Sequence, residues 1–348
     1  MTSSSNQRQQ RYLRQEQFAP LGERGQKALA SSRVAILGCG ALGTVAAELL
    51  ARSGVGSLHL IDRDLVEWSN LQRQALFTEQ DAEAGAAKAE AAARRLRQIN
   101  SEIQIVETVV DVTAVNIQQT LGKADLVVDA CDNFALRLLL NDWSLETKTA
   151  WVHGGAVGAT GQVRLFLGKP PCFRCLVPDL PDPGSVATCD TAGVLAPTTH
   201  FIASLQVLEA IKFLSGCHEV VSGSVQSFDL WRNRACAVAI DQGLMSQCRA
   251  CAHGHRDFLN AVDTAYSRTV TLCGRDAVQI APDGRSVDFD RIMQRWRPSG
   301  SAQQTRFFVR LQLDESQSVT LFRDGRAVIT GVRDVAHGRV LFDRFVGS

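Results

Sequence analysis

The stretch RVAILGCGALG, residues 33–43, joins a short apolar segment to a cluster of glycines. The apolar part, 33–37, predicts a buried strand, and residues 44–52 continue with Val45, Leu49 and Leu50 at helical spacing. A second apolar segment, 57–61, ends at Asp62. This order of strand, turn, helix and strand is typical of the first unit of a doubly wound, Rossmann-like α/β sheet.

A glycine-rich turn between a strand and a helix favours nucleotide binding. The turn contains Gly38, Gly40, Ala41, Leu42 and Gly43. Its glycines permit a tight turn and a close approach of phosphate, and the next helix offers free N–H groups to the anion. Asp62 follows the second strand, where a carboxylate can accept hydrogen bonds from ribose hydroxyls. By itself this pattern indicates a nucleotide, and NAD is the first candidate.

The remaining pattern predicts two domains. Further strands are predicted over 103–110, 125–129, 151–155 and 162–167, and helices over 86–99 and 201–214. The proline-rich segment 170–183 predicts an irregular crossover loop. Alternating apolar residues after 307, with a turn at Asp324-Gly325, predict a hairpin near the C-terminus. We therefore expect a disordered tail over 1–10, a nucleotide-binding domain over 11–252, a linker over 253–268 and a small α+β domain over 269–348.

Composition restricts the classes of function. The 37 Lys and Arg residues nearly balance the 36 Asp and Glu residues, so bulk charge gives no support to nucleic-acid or membrane-surface binding. The chain contains no apolar run long enough to span a membrane, and its first ten residues lack the apolar core of a signal peptide. We expect a cytoplasmic enzyme, in which the 10 cysteines do not form a disulfide framework.

Charged and amide side chains after the second strand favour ATP over NAD. Asp62 and Asp64 lead into VEWSNLQRQ, residues 66–74. Within this segment, Arg73 could donate to phosphate oxygens, and Asn70 and Gln74 could hold sugar or phosphate. Lys88 adds a cation at the start of the predicted helix 86–99. A redox Rossmann domain does not need this set, whereas a triphosphate does.

A magnesium ligand is expected at the end of the fourth strand. Asp132 and Asn133 follow the predicted strand 125–129. A carboxylate there offers a hard oxygen ligand, which Mg²⁺ prefers.

Two C-x-x-C pairs, Cys172 with Cys175 and Cys248 with Cys251, predict a metal site. Four thiolates suit tetrahedral Zn²⁺ with no open coordination position, so the site would be structural. The pairs are too far apart for a small zinc finger, and we expect a zinc clamp that ties the crossover loop to the end of the nucleotide-binding domain. Redox-active dithiols and four unrelated reduced cysteines are the alternatives.

Together these motifs resemble the ThiF/MoeB/HesA family, the bacterial relatives of ubiquitin-activating enzymes. GCGALG, IDRD, VEWSNLQRQ, Lys88, ACDN, CFRC, TCDTAG and CRAC occur in the family's order across residues 11–252. SNLQRQ and TCDTAG are the most diagnostic segments. LCGRDAVQI and LFRDGRAVITG resemble the C-terminal extension of ThiF-type members rather than a rhodanese domain. Ala41 departs from the glycine of many relatives.

The resemblance implies an Mg-ATP-dependent adenylyltransferase that acts on a ubiquitin-like sulfur-carrier protein ending in Gly-Gly. It implies Asp62 as a ribose ligand, Asn70, Arg73 and Lys88 as phosphate ligands, and Asp132 as the magnesium-handling acid. It also implies that Arg14 enters the partner's ATP site across a homodimer interface. The sulfur donor would be an enzyme such as a cysteine desulfurase or a rhodanese.

Cys189, in TCDTAG, matches the family position that handles sulfur or forms a thioester. An exposed loop thiol near a cation or a helix N-terminus would be a nucleophile; a structural cysteine is the alternative. Cys39, Cys131, Cys217, Cys236 and Cys273 are interpreted as small buried residues. His153, His200 and His218 show no partner pattern.

Three other functions compete with carrier adenylation. An NAD-dependent oxidoreductase leaves Arg73, Lys88 and the cysteine pairs without a role. A ThiF-like transfer-RNA threonylcarbamoyladenosine dehydratase is opposed by the neutral charge, the cysteine pairs and Cys189. A zinc-stabilised binding module does not need Arg73, Lys88 and Asp132. Among carriers, the C-terminal extension favours a ThiS-like protein, of thiamine synthesis, over a MoaD-like protein, of molybdenum cofactor synthesis.

Overall fold

In a computed structural model the protein divides into two compact units, residues 1–260 and 261–348. The structure describes residues 10–182, 185–261, 269–271, 276–281, 287–332 and 334–347, and for residues 189–190 and 269–271 it describes the backbone alone. Of the predicted tail, only Gln10 lies within the described residues, where it begins a helical segment, α1, over 10–16.

The first unit contains an eight-stranded sheet in the order β3-β2-β1-β4-β5-β6-β7-β8. Strands β1 to β5 are parallel, and β6 to β8 are antiparallel. The strands are β1 Arg33–Leu37, β2 Ser57–Asp62, β3 Gln104–Val109, β4 Leu126–Asp129, β5 Ala150–Val157, β6 Thr160–Phe166, β7 Val225–Asp229 and β8 Arg234–Val238. The reversal of strand order between β1 and β4 opens a crevice at their carboxyl ends, as in doubly wound folds.

Helices cover both faces of the sheet. They are α2 Gly22–Ser31, α3 Ala41–Arg52, α4 Glu79–Glu83, α5 Lys88–Ile99, α6 Ile117–Leu121, α7 Phe134–Thr147, α8 Cys189–Ala192, α9 Ala196–Leu214 and α10 Gln242–Ser246. Val34 and Ile36 pack into the core formed with α3, α5 and α9, whereas Ala35 and Leu37 pack into the core formed with α6 and α7. Residues 34–37 of β1 are therefore all apolar because both faces of the strand are buried there.

Two helices begin earlier than predicted. Helix α3 begins at Ala41 instead of residue 44 because Gly40 ends the turn and acts as its N-cap. Helix α9 begins at Ala196 instead of residue 201, with Pro197 inside its first turn. Proline is tolerated there because the first helical N–H groups have no intrahelical acceptor.

The connection between the units is shorter than the predicted linker, 253–268. Residues 253–260 belong to the first unit. The Phe258 backbone N donates to Asp142 Oδ2 over 3.0 Å, and Asp257 accepts from Arg174 over 2.9 Å. The polar composition of this segment predicted a linker, but its residues pair with buried charged residues on α7 and in the crossover region.

The second unit contains a six-stranded antiparallel sheet in the order β11-β12-β13-β14-β10-β9. Its strands are β9 Thr269–Thr271, β10 Ala277–Ile280, β11 Ser301–Gln304, β12 Phe308–Gln312, β13 Ser318–Phe322 and β14 Ala327–Thr330. Helices α11 Phe289–Trp296 and α12 Val335–Phe345 pack on one face of this sheet. The predicted hairpin at Asp324-Gly325 joins β13 to β14.

Among the described residues, no helix is both long enough and apolar enough to cross a membrane.

Candidate functional site

The glycine turn holds the carboxyl end of β1 against the start of α3. Gly38 has φ +96°, a left-handed backbone conformation that favours glycine. A Cβ atom on Gly43 would lie 1.9 Å from the Gly38 carbonyl oxygen, so the turn and the helix pack backbone to backbone. A Cβ atom on Gly40 would meet nothing within 4 Å. The turn is therefore closed on its inner side and open at Gly40, where a phosphate could approach the helix N-terminus.

Asp62 connects the end of β2 to this turn. Its Oδ2 atom accepts the backbone N–H of Cys39 over 2.6 Å, and its Oδ1 atom accepts that of Asp64 over 2.6 Å. Burial raises the pKa of Asp62, and the positive charge of Lys88 opposes that rise. A carboxylate has about four acceptor positions, so Asp62 keeps capacity for ribose hydroxyls.

Lys88 occupies the first position of α5 and is 5% exposed. Its Nζ atom lies 3.2 Å from Asp64 Oδ2. The side chain of Asp64 is also only partly exposed. The sequence identified both residues as nucleotide ligands but did not reveal that they form an ion pair with each other.

The VEWSNLQRQ segment forms a short 3₁₀ helix, Trp68–Asn70, followed by a turn. Asn70 is buried, and its Oδ1 atom accepts the backbone N–H of Glu67. Half-buried Arg73 donates to the Ser69 carbonyl over 2.8 Å. Gln74 is 4% exposed, and its Oε1 atom has no hydrogen-bond partner among the described residues. An unsatisfied buried acceptor is costly, so Gln74 is suited to a bound donor.

Two hydrogen bonds through Thr44 connect Ala75, the residue after this segment, to the glycine turn. The Ala75 backbone N donates to Thr44 Oγ1 over 3.2 Å, while Thr44 Oγ1 donates to the Gly40 carbonyl over 2.8 Å. The predicted nucleotide ligands from β1, β2 and residues 66–74 are therefore linked through the first turn of α3.

Asp132 and Asn133 have different positions at the end of β4. Asp132 is exposed. Asn133 is the N-cap of α7, and its Oδ1 atom accepts the backbone N–H groups of Ala135 and Leu136. Because its oxygen already stabilises the helix, Asn133 is less available as a metal ligand than Asp132.

A buried ionic network lies directly behind these residues, and the sequence did not indicate it. Asp129 Oδ2 lies 3.0 Å from Arg137 Nε and 2.8 Å from His153 Nδ1, and Asp129 Oδ1 accepts from Cys131. Burial alone would raise the pKa of Asp129, but Arg137 and the His153 hydrogen bond outweigh it and lower that pKa. Burial lowers the pKa of His153, which favours the neutral ring.

Two further predicted site residues, Arg14 and Cys189, lie on short helices. Arg14 is exposed on α1 and donates to Gln17 Oε1 over 3.3 Å. Cys189 begins α8, a helix whose N-cap is Thr188. The side chain of Cys189 lies outside the described residues, so its predicted nucleophilic or structural role stays a prediction.

The four cysteines of the C-x-x-C pairs converge. Their sulfur atoms all lie within 4.8 Å of one another. Cys172 Sγ lies 4.0 Å from Cys175 Sγ and 3.7 Å from Cys248 Sγ, and Cys175 Sγ lies 3.5 Å from Cys251 Sγ. Tetrahedral zinc with Zn–S bonds of about 2.3 Å requires S···S separations of about 3.8 Å, so this donor set fits Zn²⁺. The separations exceed the disulfide bond length of about 2.05 Å.

Arg174, between the first two cysteines, anchors this cluster to α7. It is 2% exposed. Its guanidinium lies 3.6 Å from Asp142 and 2.9 Å from Asp257, and its Cζ atom lies 5.2 Å from the centre of the Phe258 ring. The charged residue inside CFRC thus ties the crossover region to residues 253–260, a role that the sequence analysis missed.

The prediction that the other cysteines are buried holds for only part of them. Cys39 and Cys131 are buried, and burial raises the pKa of both thiols. Cys236 is exposed on β8 and Cys217 is half-buried, so for these two the prediction is wrong. The apolar residues close to Cys236 in the sequence gave no sign that β8 is the last strand of its sheet. Cys273 lies outside the described residues.

Known proteins match the chain over both units. A family model described as the ThiF family matches residues 12–250. The sulfur carrier protein ThiS adenylyltransferase of Bacillus subtilis (strain 168) is 40% identical over 339 residues, 97% of this chain and 99% of that protein. The SAMP-activating enzyme E1 of Haloferax volcanii is 35% identical over 262 residues, 75% of this chain and 96% of that enzyme.

Among solved structures, E. coli MccB with ATP is similar to this chain at a TM-score of 0.55 and 26% identity. The match covers 66% of this chain and 69% of that chain.

Proposed function

The chain belongs to the ThiF family, and on that premise we propose that it uses ATP to adenylate the C-terminal glycine of a ubiquitin-like sulfur-carrier protein. The observation that carries the proposal is the 40% identity to a ThiS adenylyltransferase, since it extends over 97% of this chain and 99% of that protein. A match over both units includes the C-terminal unit, which an alignment limited to the nucleotide-binding fold would leave out.

The geometry supports ATP as the nucleotide. The open side of the turn at Gly40 would take the phosphates, and Asp62 would hold the ribose. Lys88 and Arg73 would neutralise phosphate charge, and the unpartnered oxygen of Gln74 would accept from the sugar or the base. Lys88 would then exchange part of its contact with Asp64 for a phosphate oxygen.

The chemistry needs no general base because the attacking group is already an anion. A carboxylate oxygen of the carrier's terminal glycine attacks the α-phosphorus of ATP, the bond to the bridging oxygen breaks, and pyrophosphate leaves. An acyl-adenylate remains on the carrier. Asp132, exposed at the end of β4, would hold Mg²⁺, which supplies positive charge to the triphosphate.

The carrier is ThiS-like rather than MoaD-like in this proposal. The relative that matches nearly the whole of both chains is named for ThiS. The other assignments of the family are parts of the same proposal: Arg14 completes the site of a second subunit in a homodimer, zinc at the four cysteines holds the crossover region, and a sulfur donor such as a cysteine desulfurase or a rhodanese acts after adenylation.

Pyrophosphate exchange tests this function. Purified zinc-loaded protein is assayed for incorporation of labelled pyrophosphate into ATP with a ThiS-like carrier, a MoaD-like carrier and each carrier lacking its last two glycines. We expect exchange with the ThiS-like carrier that requires the Gly-Gly end. Exchange is expected to fall at least about a hundredfold in Arg73→Ala, since charge-stabilising contacts of this kind are worth about 3 kcal/mol.

Arg95→Ala is the matched control. Arg95 lies on the exposed face of α5 and donates to Gln98, so this variant loses one arginine without touching the site. Failure of exchange with both carriers, from folded protein that retains zinc, would contradict the proposal.

A further inference from the structure

A cleft opens on the antiparallel half of the first sheet. It encloses about 300 Å³ and is bordered by residues of β5, β6, β7 and β8 and by the crossover segment after Cys172. Most of its lining is apolar, with Phe173, Val177 and Val225 among the contributors. His153, Gln162 and Arg164 supply polar groups. No role proposed above uses this cleft.

Arg164 is buried in this cleft, and two of its side-chain nitrogens are unpaired among the described residues. It is 5% exposed, and its Nε and Nη1 atoms have no hydrogen-bond partner among the described residues. Its Cζ atom lies 5.2 Å from the centre of the Phe166 ring, two residues along the same strand. A guanidinium has five donors in a planar fork, so removing it from water without an acceptor is costly.

Among the described residues, no carboxylate is hydrogen-bonded to Arg164. None of the residues that line the cleft is Asp or Glu. A second cleft, of about 240 Å³, also touches Arg164 and includes Lys169 and His218. None of the residues that line this second cleft is Asp or Glu either. Burial lowers the pKa of the Arg164 guanidinium, and the negative charge of Cys175, which zinc would hold as a thiolate, opposes that fall without a hydrogen bond.

His153 does not supply the missing negative charge. It pairs with Arg164 across β5 and β6, so both side chains are on one face of the sheet. Its Nδ1 atom is hydrogen-bonded to Asp129, and its Nε2 atom lies 3.4 Å from Gln162 Nε2. A neutral ring that donates from Nδ1 to Asp129 accepts at Nε2, so Gln162 can donate to it.

We infer that this cleft is a binding site for a carboxylate with an apolar body, in which Arg164 forms the ion pair. Arginine binds carboxylates through two parallel N–H···O bonds, and two nitrogens of Arg164, Nε and Nη1, have no hydrogen-bond partner among the described residues. The apolar lining with a single convergent cation is typical of sites for small organic acids or for an acidic side chain beside apolar neighbours.

The carboxylate has two possible sources, a free organic acid or an acidic side chain of the docked carrier protein. The second source rests on the proposed function. The first does not, so a binding measurement without carrier or ATP separates a failure of this inference from a failure of that function.

Benzoate is the probe for the free acid, and benzyl alcohol is its neutral control. Binding to the full-length, zinc-loaded protein is measured by titration calorimetry and by the shift in melting temperature. We expect benzoate to bind at least about tenfold more tightly than benzyl alcohol, because only benzoate can pair with the guanidinium. Arg164→Met is expected to abolish this preference, and Arg164→Lys to reduce it. Arg95→Met is the matched control, with the same loss of charge at an exposed position of α5.

The melting temperature of the free protein distinguishes binding from structure. Removing a buried guanidinium that lacks an acceptor should leave Arg164→Met at least as stable as the wild type, with full zinc content. A structural arginine, for example one that balances the charge of the cysteine cluster, would instead give a lower melting temperature or loss of zinc on substitution.

Assays with the carrier protein show which of the two sources supplies the carboxylate. Carrier-dependent pyrophosphate exchange is measured for wild type, Arg164→Met and Arg95→Met. A carrier side chain predicts a KM for the carrier raised about tenfold in Arg164→Met, an unchanged kcat and competition by benzoate. A free acid predicts an unchanged KM and benzoate binding that persists with carrier present. The inference is overturned if neither benzoate affinity nor carrier KM depends on Arg164, or if Arg164→Met loses zinc and stability while benzoate affinity is unchanged.

Discussion

Two glycines of the same turn should respond to the same substitution in opposite ways. In Gly43→Ala the new Cβ atom would lie 1.9 Å from the Gly38 carbonyl oxygen, whereas real Cβ contacts are essentially never shorter than 3.0 Å. The backbone of the turn and the first turn of α3 must therefore separate by about 1.1 Å, the difference between these distances. The two nearest atoms, the carbonyl oxygen and carbon of Gly38, belong to the backbone and not to a flexible side chain, so the strain cannot be relieved locally.

The expected magnitude follows from the cost of overpacking. Forcing a methyl group into close-packed backbone costs about 3 kcal/mol or more, since the usual range for flexible cores is about 1–3 kcal/mol. At about 2–4 °C per kcal/mol for a domain of this size, the melting temperature of Gly43→Ala should fall by roughly 6–12 °C.

In Gly40→Ala the new Cβ atom meets nothing within 4 Å in the free protein. The melting temperature should change by less than about 2 °C, within the effect of an ordinary surface substitution. The methyl group occupies the side on which phosphate approaches, so the KM for ATP in pyrophosphate exchange should rise at least about tenfold.

Scanning calorimetry of both variants without ligand, followed by exchange assays over a range of ATP concentrations, tests the pair. The result that would refute the reasoning is a Gly40→Ala variant with normal KM for ATP, or a Gly43→Ala variant as stable as the wild type. The first would separate the open side of the turn from the nucleotide, and the second would show that the packing of Gly43 against Gly38 is not rigid.

Three further predictions concern the other clusters. Cys248→Ser should release about one zinc ion per chain and lower the melting temperature by roughly 5 °C or more, measured by metal analysis and calorimetry, whereas Cys236→Ser on β8 should change neither. Lys88→Met should lower kcat/KM for ATP at least about tenfold in exchange assays; equal activity would exclude Lys88 as a phosphate ligand. The pKa of His153 is lower in the folded protein than in the unfolded chain, so the unfolded chain takes up the proton first on acidification. The stability that the neutral ring contributes is therefore present above about pH 6.5 and is lost as the pH falls below that value. In urea unfolding at pH 7.5 and 5.5, His153→Gln should therefore lose less stability than the wild type on acidification; an equal loss would contradict this assignment.

The sequence alone determined the fold class and the principal clusters of the candidate site. Gly38 and Gly40 lie between an apolar strand and a helix, and Gly43 lies in the first turn of that helix, an order that few arrangements other than a strand–turn–helix unit can satisfy. The two C-x-x-C pairs predicted a four-sulfur cluster, although 72 residues separate Cys175 from Cys248, because thiols at this spacing have few other uses in such a chain. These features are readable because they depend on local spacing and on the chemistry of single residue types.

The tertiary structure decided which polar groups are satisfied. Asp129, Arg137 and His153 form one buried network, although the three residues come from different elements and no spacing in the sequence connects them. Arg174 pairs with Asp142 and Asp257, whereas Nε and Nη1 of Arg164 have no hydrogen-bonded acceptor among the described residues. Burial and pairing depend on which side chains of distant segments meet when the sheet and the crossover segment pack together. The free energy of a buried charge therefore depends on contacts that only the folded chain provides.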